Sequence, residues 1–287
     1  MQYYTPKSFS EASSLSKNAT GVTRFLAGGT DVLVQLRSDI LIPDALIDIK
    51  NIPDVGKITK NPNGSWNIGV AVCGAELNEH TGLKAEWPGV VEAMDLIGST
   101  QIQGRATLVG NLCNGSPAAD SVPALMAAGA SVTIVNSSGS REVSVDKIPH
   151  SPGKTVLKKG DVVSAINLPA RNSNSGDAYL RLIPRTEMDI AVVGCGVNLS
   201  VEGDQISEAR VSLGAVTPKV ILVEDAAEAL IGSRLDDQAL EALAKAARKA
   251  CNPISDKRGT IEYRTHISGV LAKRAAKIAY KRARADK

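Results

Sequence analysis

An α+β protein in two parts is what this sequence predicts, and three observations carry that expectation. Over residues 1–172 short strand-like runs alternate with short helical ones. A polar run, Arg171-Asn172-Ser173-Asn174-Ser175-Gly176, then breaks the pattern as a linker would. From residue 177 to 287 the chain reads as two long strands followed by three helices, the order expected of an antiparallel sheet with helices laid on it.

In chain order, the apolar run Val22 to Ala27 predicts a strand, Thr30 to Ser38 a short helix and Leu46-Ile47-Asp48-Ile49 a second strand, filling a first subdomain of about residues 1–55. A second subdomain, about 56–172, opens with the turn Asn61-Pro62-Asn63-Gly64 and a strand from Trp66 to Val72. Val90 to Ile97 suits a helix that Gly98 stops. Ser121 is placed to cap a helix reaching Met126, with Gly129 closing it. Val132 to Val135, the turn Ser137-Ser138-Gly139 and Glu142 to Val145 read as a hairpin, and Asp161 to Leu168 as a strand ended by Pro169.

In the second part Ile190 to Val201 and Ile206 to Val216 flank Glu202-Gly203-Asp204-Gln205 as an antiparallel pair. Helices are expected at Val223 to Ile231, at Asp236 to Ala250 with Leu240, Leu243 and Ala247 on one face, and at Ser268 to Ala285 with Leu271, Ala275 and Ile278 on one face. Arg185, Glu187 and Asp189 form a charge cluster expected to lock the two parts together. The basic tail from Lys273 to Arg284 reads as a solvated helix whose last cations complement its dipole, with docking to an acidic partner as the sharper alternative.

Composition narrows the function. Aromatic residues are only 3% of the chain, leaving few platforms for stacked bases, and the net charge of +3 is too small to attract nucleic acid. No apolar run reaches membrane-spanning length, and Met1 to Pro6 has neither a basic n-region nor an apolar h-region, so a cytoplasmic location is expected. Cys73, Cys113, Cys195 and Cys251 are scattered, as are His80, His150 and His266; reduced thiols and no metal site are expected.

Two glycine-containing segments stand out. The first is Arg24-Phe25-Leu26-Ala27-Gly28-Gly29-Thr30-Asp31, continuing into Val32; the second runs from Thr107 through Leu108, Val109, Gly110, Asn111, Leu112, Cys113, Asn114, Gly115 and Ser116 to Pro117. Glycine lets a backbone approach an anion closely, and turn or helix-start N–H groups bind it without any lysine. The two together read as a grip on one diphosphate. Either alone more often marks an ordinary turn, Asp31 equally suits a helix start, and Asn111 and Asn114 are common turn formers. No Gly-Lys-Ser/Thr follows Gly28-Gly29, and no Gly-x-Gly-x-x-Gly opens a long helix, so Walker and Rossmann sites are unsupported.

These segments resemble the FAD-binding medium subunit of molybdenum hydroxylases, the family of the aerobic carbon monoxide dehydrogenase flavoprotein and the xanthine dehydrogenase flavin domain. The likeness lies in Ala27-Gly28-Gly29-Thr30-Asp31, in Thr107-Leu108-Val109-Gly110-Asn111-Leu112, and in Gly115-Ser116-Pro117 with Asp120. It continues through Gly98-Ser99-Thr100-Gln101-Ile102, Tyr179-Leu180-Arg181, Arg185 to Ala191, Leu213-Gly214-Ala215-Val216 and Pro253-Ile254-Ser255-Asp256 with Tyr263-Arg264. Two positions depart from the family: Val109 stands where a glycine is usual, and Gln103-Gly104 replaces a common Arg-Asn. A valine resists positive φ, so it requires either an extended backbone there or a looser grip.

The resemblance implies a two-part flavin domain of the p-cresol methylhydroxylase type, then a C-terminal antiparallel sheet-plus-helices domain. It implies FAD as cofactor, held by Ala27, Gly28, Gly29, Thr30, Asp31, Val32, Thr107, Leu108, Val109, Gly110, Asn111 and Asn114. It aligns Asp120 with an acid bonded to flavin-side hydroxyls, and Arg181 with a cation at the pyrimidine edge that favours reduced flavin. The partners it implies are a molybdopterin-containing large subunit and a [2Fe-2S] small subunit, as a dimer of heterotrimers, with an external electron acceptor. A stand-alone FAD-dependent oxidase or reductase of the same fold and a scaffold without cofactor are the alternatives.

Overall fold

The structure, a computed structural model, describes residues 1–285 and opens with a strand not expected from the sequence, β1 (Gln2–Tyr4). Helix α1 (Phe9–Asn18) follows, started by Ser8, whose hydroxyl accepts from the Glu11 amide at 3.1 Å. Then come β2 (Thr23–Leu26), α2 (Val32–Arg37) and β3 (Ala45–Asp48). The three strands pair in parallel in the order β1-β3-β2, so the helices serve as crossovers.

A second sheet begins with β4 (Ile58–Lys60) and β5 (Trp66–Gly69). Six helices intervene: α3 (Gly74–Glu79), α4 (Thr81–Glu86), α5 (Pro88–Asp95), α6 (Thr100–Gln103), α7 (Leu108–Cys113) and α8 (Ser121–Ala127). The hairpin β6 (Ser131–Asn136) and β7 (Gly139–Ser144), the small hairpin β8 (Pro149–Ser151) and β9 (Lys154–Thr155), and β10 (Val162–Leu168) complete this part. The sheet is antiparallel with order β4-β5-β10-β6-β7. Ile68 and Ile134 from its strands pack with Leu77, Leu83, Leu112 and Leu125 from the helices in one buried core.

Strands β11 (Ser175–Leu182), β12 (Val193–Glu202), β13 (Gln205–Gly214) and β14 (Ile221–Leu222) form a third sheet in sequential antiparallel order. Helices α9 (Glu224–Glu228), α10 (Asp237–Lys249) and α11 (Ile261–Ala283) accompany it and share a second core. α11 turns a stripe of small residues, including Ala272, Ala275, Ala276 and Ala279, toward β11 and β12. The contact is close enough that a Cβ on Gly176 would lie 2.0 Å from the Ala279 carbonyl oxygen.

Several sequence expectations need correction. α11 begins at Ile261 rather than Ser268, because Thr260 caps it by accepting from the Tyr263 amide at 3.2 Å. Ile278 is only partly buried and lies beside the alanine stripe. Ser121 does not cap α8; Asp120 holds the cap position, without a side-chain capping bond. The segment from Thr107 to Asn114 is a capped single helix, α7, rather than an open turn.

The polar run at 171–176 is not a free linker. Only Asn172, Ser173 and Asn174 are exposed. Arg171 stacks on Trp87 at 4.5 Å and pairs with Asp177 at 2.8 Å, and Asp177 in turn accepts from the Val90 amide at 3.2 Å. Composition cannot reveal buried partners that lie far away in sequence. Arg282 on α11 adds a second tie, to Glu92 at 3.0 Å and the Asp177 carbonyl at 2.7 Å, so this part of the basic tail is a clamp between the two parts rather than a solvated end. The ion pairs of Arg185 and Asp189 stay within the second part, with Arg258, but the same segment reaches the first part through the Met188 amide, which donates to the Gly98 carbonyl at 3.3 Å.

Candidate functional site

Between the parallel sheet and the second sheet lies a cleft of about 700 Å³, within the range of roughly 300–1,000 Å³ usual for cofactor sites. Both glycine segments face it. Ala27, Gly28, Gly29, Thr30, Asp31 and Val32 line one wall; Thr107, Val109, Gly110, Asn111 and Asn114 line the other.

The first wall bends sharply after β2 because Gly29 takes φ +82°, a conformation that side chains rarely adopt. Gly28 is needed for a different reason. A Cβ there would sit 1.9 Å from the Arg105 carbonyl oxygen and 3.2 Å from the Ala106 Cα, so the two walls meet backbone to backbone at this point. Asp31 holds the cap position of α2 without a side-chain capping bond, and burial raises its carboxyl above the usual value.

The second wall is the start of α7. Thr107 caps it, its hydroxyl accepting from the Gly110 amide at 2.9 Å. The first-turn amide of Val109 has no acceptor within its own helix, which makes it a donor for a bound anion. Val109 therefore needs neither an extended nor a left-handed backbone: it is helical, and its side chain is 5% exposed, at the edge of the core. Gln35 of α2 donates to the Asn114 side chain at 3.2 Å and links the two walls.

A third wall was not read from the sequence. Gly153, Lys154, Thr155, Leu157, Lys158, Lys159, Val162 and Val163 also line the cleft. The Gly153 amide donates to the Gly115 carbonyl at 3.0 Å, and Gly115, at φ +68°, could carry no side chain because a Cβ would lie 2.8 Å from the Lys154 nitrogen. Asp161 shapes the next turn by accepting from the Lys158 amide at 3.0 Å. Burial raises its pKa, but hydrogen bonds from Arg141, Asn136 and that amide outweigh burial and bring it down to about 2. The only sequence signal was the pair Lys158-Lys159 beside a glycine, which reads equally well as a surface turn.

Leu108, Asp120 and Arg181 are not on the cleft surface. Leu108 lies in the core beneath α7 at 2% exposure. Arg181 of β11 pairs with Asp120 at 2.8 Å, and the Tyr179 hydroxyl donates to the other Asp120 oxygen at 2.9 Å. Burial pushes Asp120 up to about 6 against the pull of Arg181 and Tyr179. This group adjoins the cleft through Ser121, which donates from both its amide (3.1 Å) and its hydroxyl (2.7 Å) to the Asn111 carbonyl oxygen. The Nε of Arg181 is buried with no hydrogen-bond partner among the described residues. Cys113 lines the cleft as a neutral thiol, pushed up to about 12 by burial, and is no nucleophile. Among the described residues no cluster of His, Cys, Asp and Glu could hold a metal ion, and no helix is long and apolar enough to cross a membrane.

Comparison with known proteins extends this picture. Residues 1–171 match the model of the FAD binding domain in molybdopterin dehydrogenase, and residues 178–279 that of the CO dehydrogenase flavoprotein C-terminal domain. The chain is 30% identical to the carbon monoxide dehydrogenase medium chain of Hydrogenophaga pseudoflava, over 98% of this chain and 97% of that one. It is 30% identical to the xanthine dehydrogenase FAD-binding subunit of Escherichia coli O157:H7, over 88% and 86% of the two chains. Its structure superposes on a chain of the H. pseudoflava carbon monoxide dehydrogenase with a TM-score of 0.94 and 31% identity, covering 98% of each.

Proposed function

The chain belongs to the family of FAD-binding medium subunits of molybdopterin dehydrogenases, and we propose that it carries electrons from the [2Fe-2S] clusters of a partner subunit, through one FAD in the cleft, to an external acceptor. It is an oxidoreductase subunit whose cofactor is FAD. The convergence of two glycine segments, far apart in sequence, on one cofactor-sized cleft is the observation that carries the site assignment. The partners proposed are a molybdopterin-containing large subunit and a [2Fe-2S] small subunit, as a dimer of heterotrimers, and the proposed division of the chain falls at 172–177.

In this reading the amides around Gly29 and at the start of α7 hold the diphosphate, and Lys154 and Lys158 add positive charge from the third wall. Asp120 and Arg181 stand behind Asn111, at the flavin end, as a buried charged pair beneath the cleft surface. When bound, FAD supplies the exchange between single-electron and paired-electron transfer; the chain's own work is to hold and electrostatically tune it.

Affinity purification of the chain from its native host tests the reading. The expected result is a complex containing FAD, iron, acid-labile sulfide and molybdenum, whose flavin is bleached by the complex's substrate. A yellow chain that isolates alone and oxidises a substrate unaided would replace this reading with a stand-alone oxidase.

Val109→Gly separates the wall's backbone from its side chain. Glycine inside a helix costs about 1 kcal/mol, and the lost buried isopropyl group about 1.5–3 kcal/mol. Stability should therefore fall by about 2.5–4 kcal/mol in urea unfolding. FAD affinity of the folded variant should stay within about threefold of wild type, because the donors of this wall are backbone amides. A loss of FAD affinity far beyond that would show that the valine packs on the cofactor.

A further inference from the structure

The orientation of the Asn111 carboxamide is decided by a backbone group. Asn111 lines the cleft, and its side-chain oxygen accepts from the Ser121 amide at 3.1 Å and from the Ser121 hydroxyl at 2.7 Å. A backbone N–H can only donate, so the atom facing it is the oxygen, and the usual ambiguity between the two ends of an amide disappears. The Asn111 Nδ2 has no hydrogen-bond partner among the described residues and is not buried. Its two N–H donors are therefore open to the cleft. Ser121 itself is fully buried at the first position of α8, and it is not the helix cap. A buried hydroxyl is costly unless hydrogen-bonded, and the bond this one donates goes to Asn111.

We propose that Ser121 is a positioning residue for the cofactor: it clamps the Asn111 carbonyl so that the amide presents only donors to the acceptor oxygens of FAD. This rests on the assignment of FAD to the cleft and adds a specificity element to it. The arrangement excludes the flipped amide, whose oxygen would face the phosphate oxygens and repel them. Without the Ser121 hydroxyl the carboxamide keeps only the backbone N–H at 3.1 Å, which still fixes its orientation but holds it less tightly.

Three single variants and one double variant, each titrated with FAD by flavin fluorescence and melted without ligand, test the clamp. Asn111→Asp retains an oxygen for Ser121 but turns an acceptor toward the cofactor, so its melting should stay near wild type while its FAD Kd rises by about tenfold or more. Asn111→Ala removes the donors without adding repulsion and leaves Ser121 unpaired. It should bind FAD more tightly than Asn111→Asp yet melt lower, whereas a purely structural pair predicts that Asn111→Asp does better on both counts. Ser121→Ala removes only the hydroxyl half of the clamp, so it should weaken FAD by about twofold to threefold, and should add nothing in the Asn111→Ala background, since it acts through that side chain. Wild-type affinity in Asn111→Asp, or a Ser121→Ala effect that persists fully in the double variant, would overturn the clamp alone. A wild-type chain that takes up no FAD would overturn the cofactor assignment beneath it.

Discussion

Gly28→Val is expected to yield a folded chain with less than about a tenth of the wild-type flavin content, a loss of more than about 1.4 kcal/mol in binding. The cause is the meeting of the two walls. The added Cβ would lie 1.9 Å from the Arg105 carbonyl oxygen, a backbone atom that cannot rotate away, and valine's two methyl groups enlarge the conflict. Relief requires the 27–32 segment to move off the 105–110 segment, which pulls apart the donors that must reach one diphosphate. Forced overpacking of this kind also costs about 1–3 kcal/mol of stability. The ratio of visible to ultraviolet absorbance after dialysis against excess FAD reads the loading, and circular dichroism reads the fold. A folded variant with full flavin content would show that the first glycine segment does not hold the cofactor. A steric account based only on the diphosphate would miss this, because Gly28 meets protein backbone before it meets ligand.

Arg181→Leu should lower stability by about 3–5 kcal/mol, the usual cost of leaving one member of a buried ion pair behind. Arg181 and Asp120 have side chains only 4% and 10% exposed, and the variant leaves the carboxylate with Tyr179 alone. The loss should depend on pH. Burial already raises Asp120 to about 6 despite the guanidinium, and removing that cation raises it further. A carboxyl raised in the folded state favours folding while it is protonated and loses that contribution as pH climbs through its folded value. The variant should therefore fall furthest behind wild type near about pH 8 and recover part of the gap near about pH 5. Pairing it with Asp120→Leu should restore stability at the higher pH, since no buried charge then remains. Urea unfolding at both pH values decides this; equal losses at the two would mean that Asp120 keeps its charge by other means.

The alternation of short strands and helices, the long β12–β13 pair and the two glycine segments were all legible from residue order alone. They depend on local causes: turn glycines, side-chain periodicity and caps. Gly29 is an example, since its left-handed backbone follows from its place after an apolar strand. What escaped were features made by partners distant in sequence. The run at 171–176 looked like a linker because its polarity is visible, while Trp87 and Ser200, which help bury it, lie far away in sequence. Ser121 looked like a cap because the residue type suits one, and only the approach of α7 to α8 gives its hydroxyl to Asn111.

By itself, then, the sequence determined the family, the cofactor class and two walls of the cleft, because those rest on contiguous motifs whose backbone conformations are locally encoded. The tertiary structure alone decided that Gly28 is a contact between walls, that Lys154 and Lys158 form a third wall, and that Arg181 and Asp120 satisfy one another behind Asn111. Each of these depends on which chain segments approach within a few ångströms. Short-range steric and hydrogen-bond energies fix such distances only after the whole chain has packed.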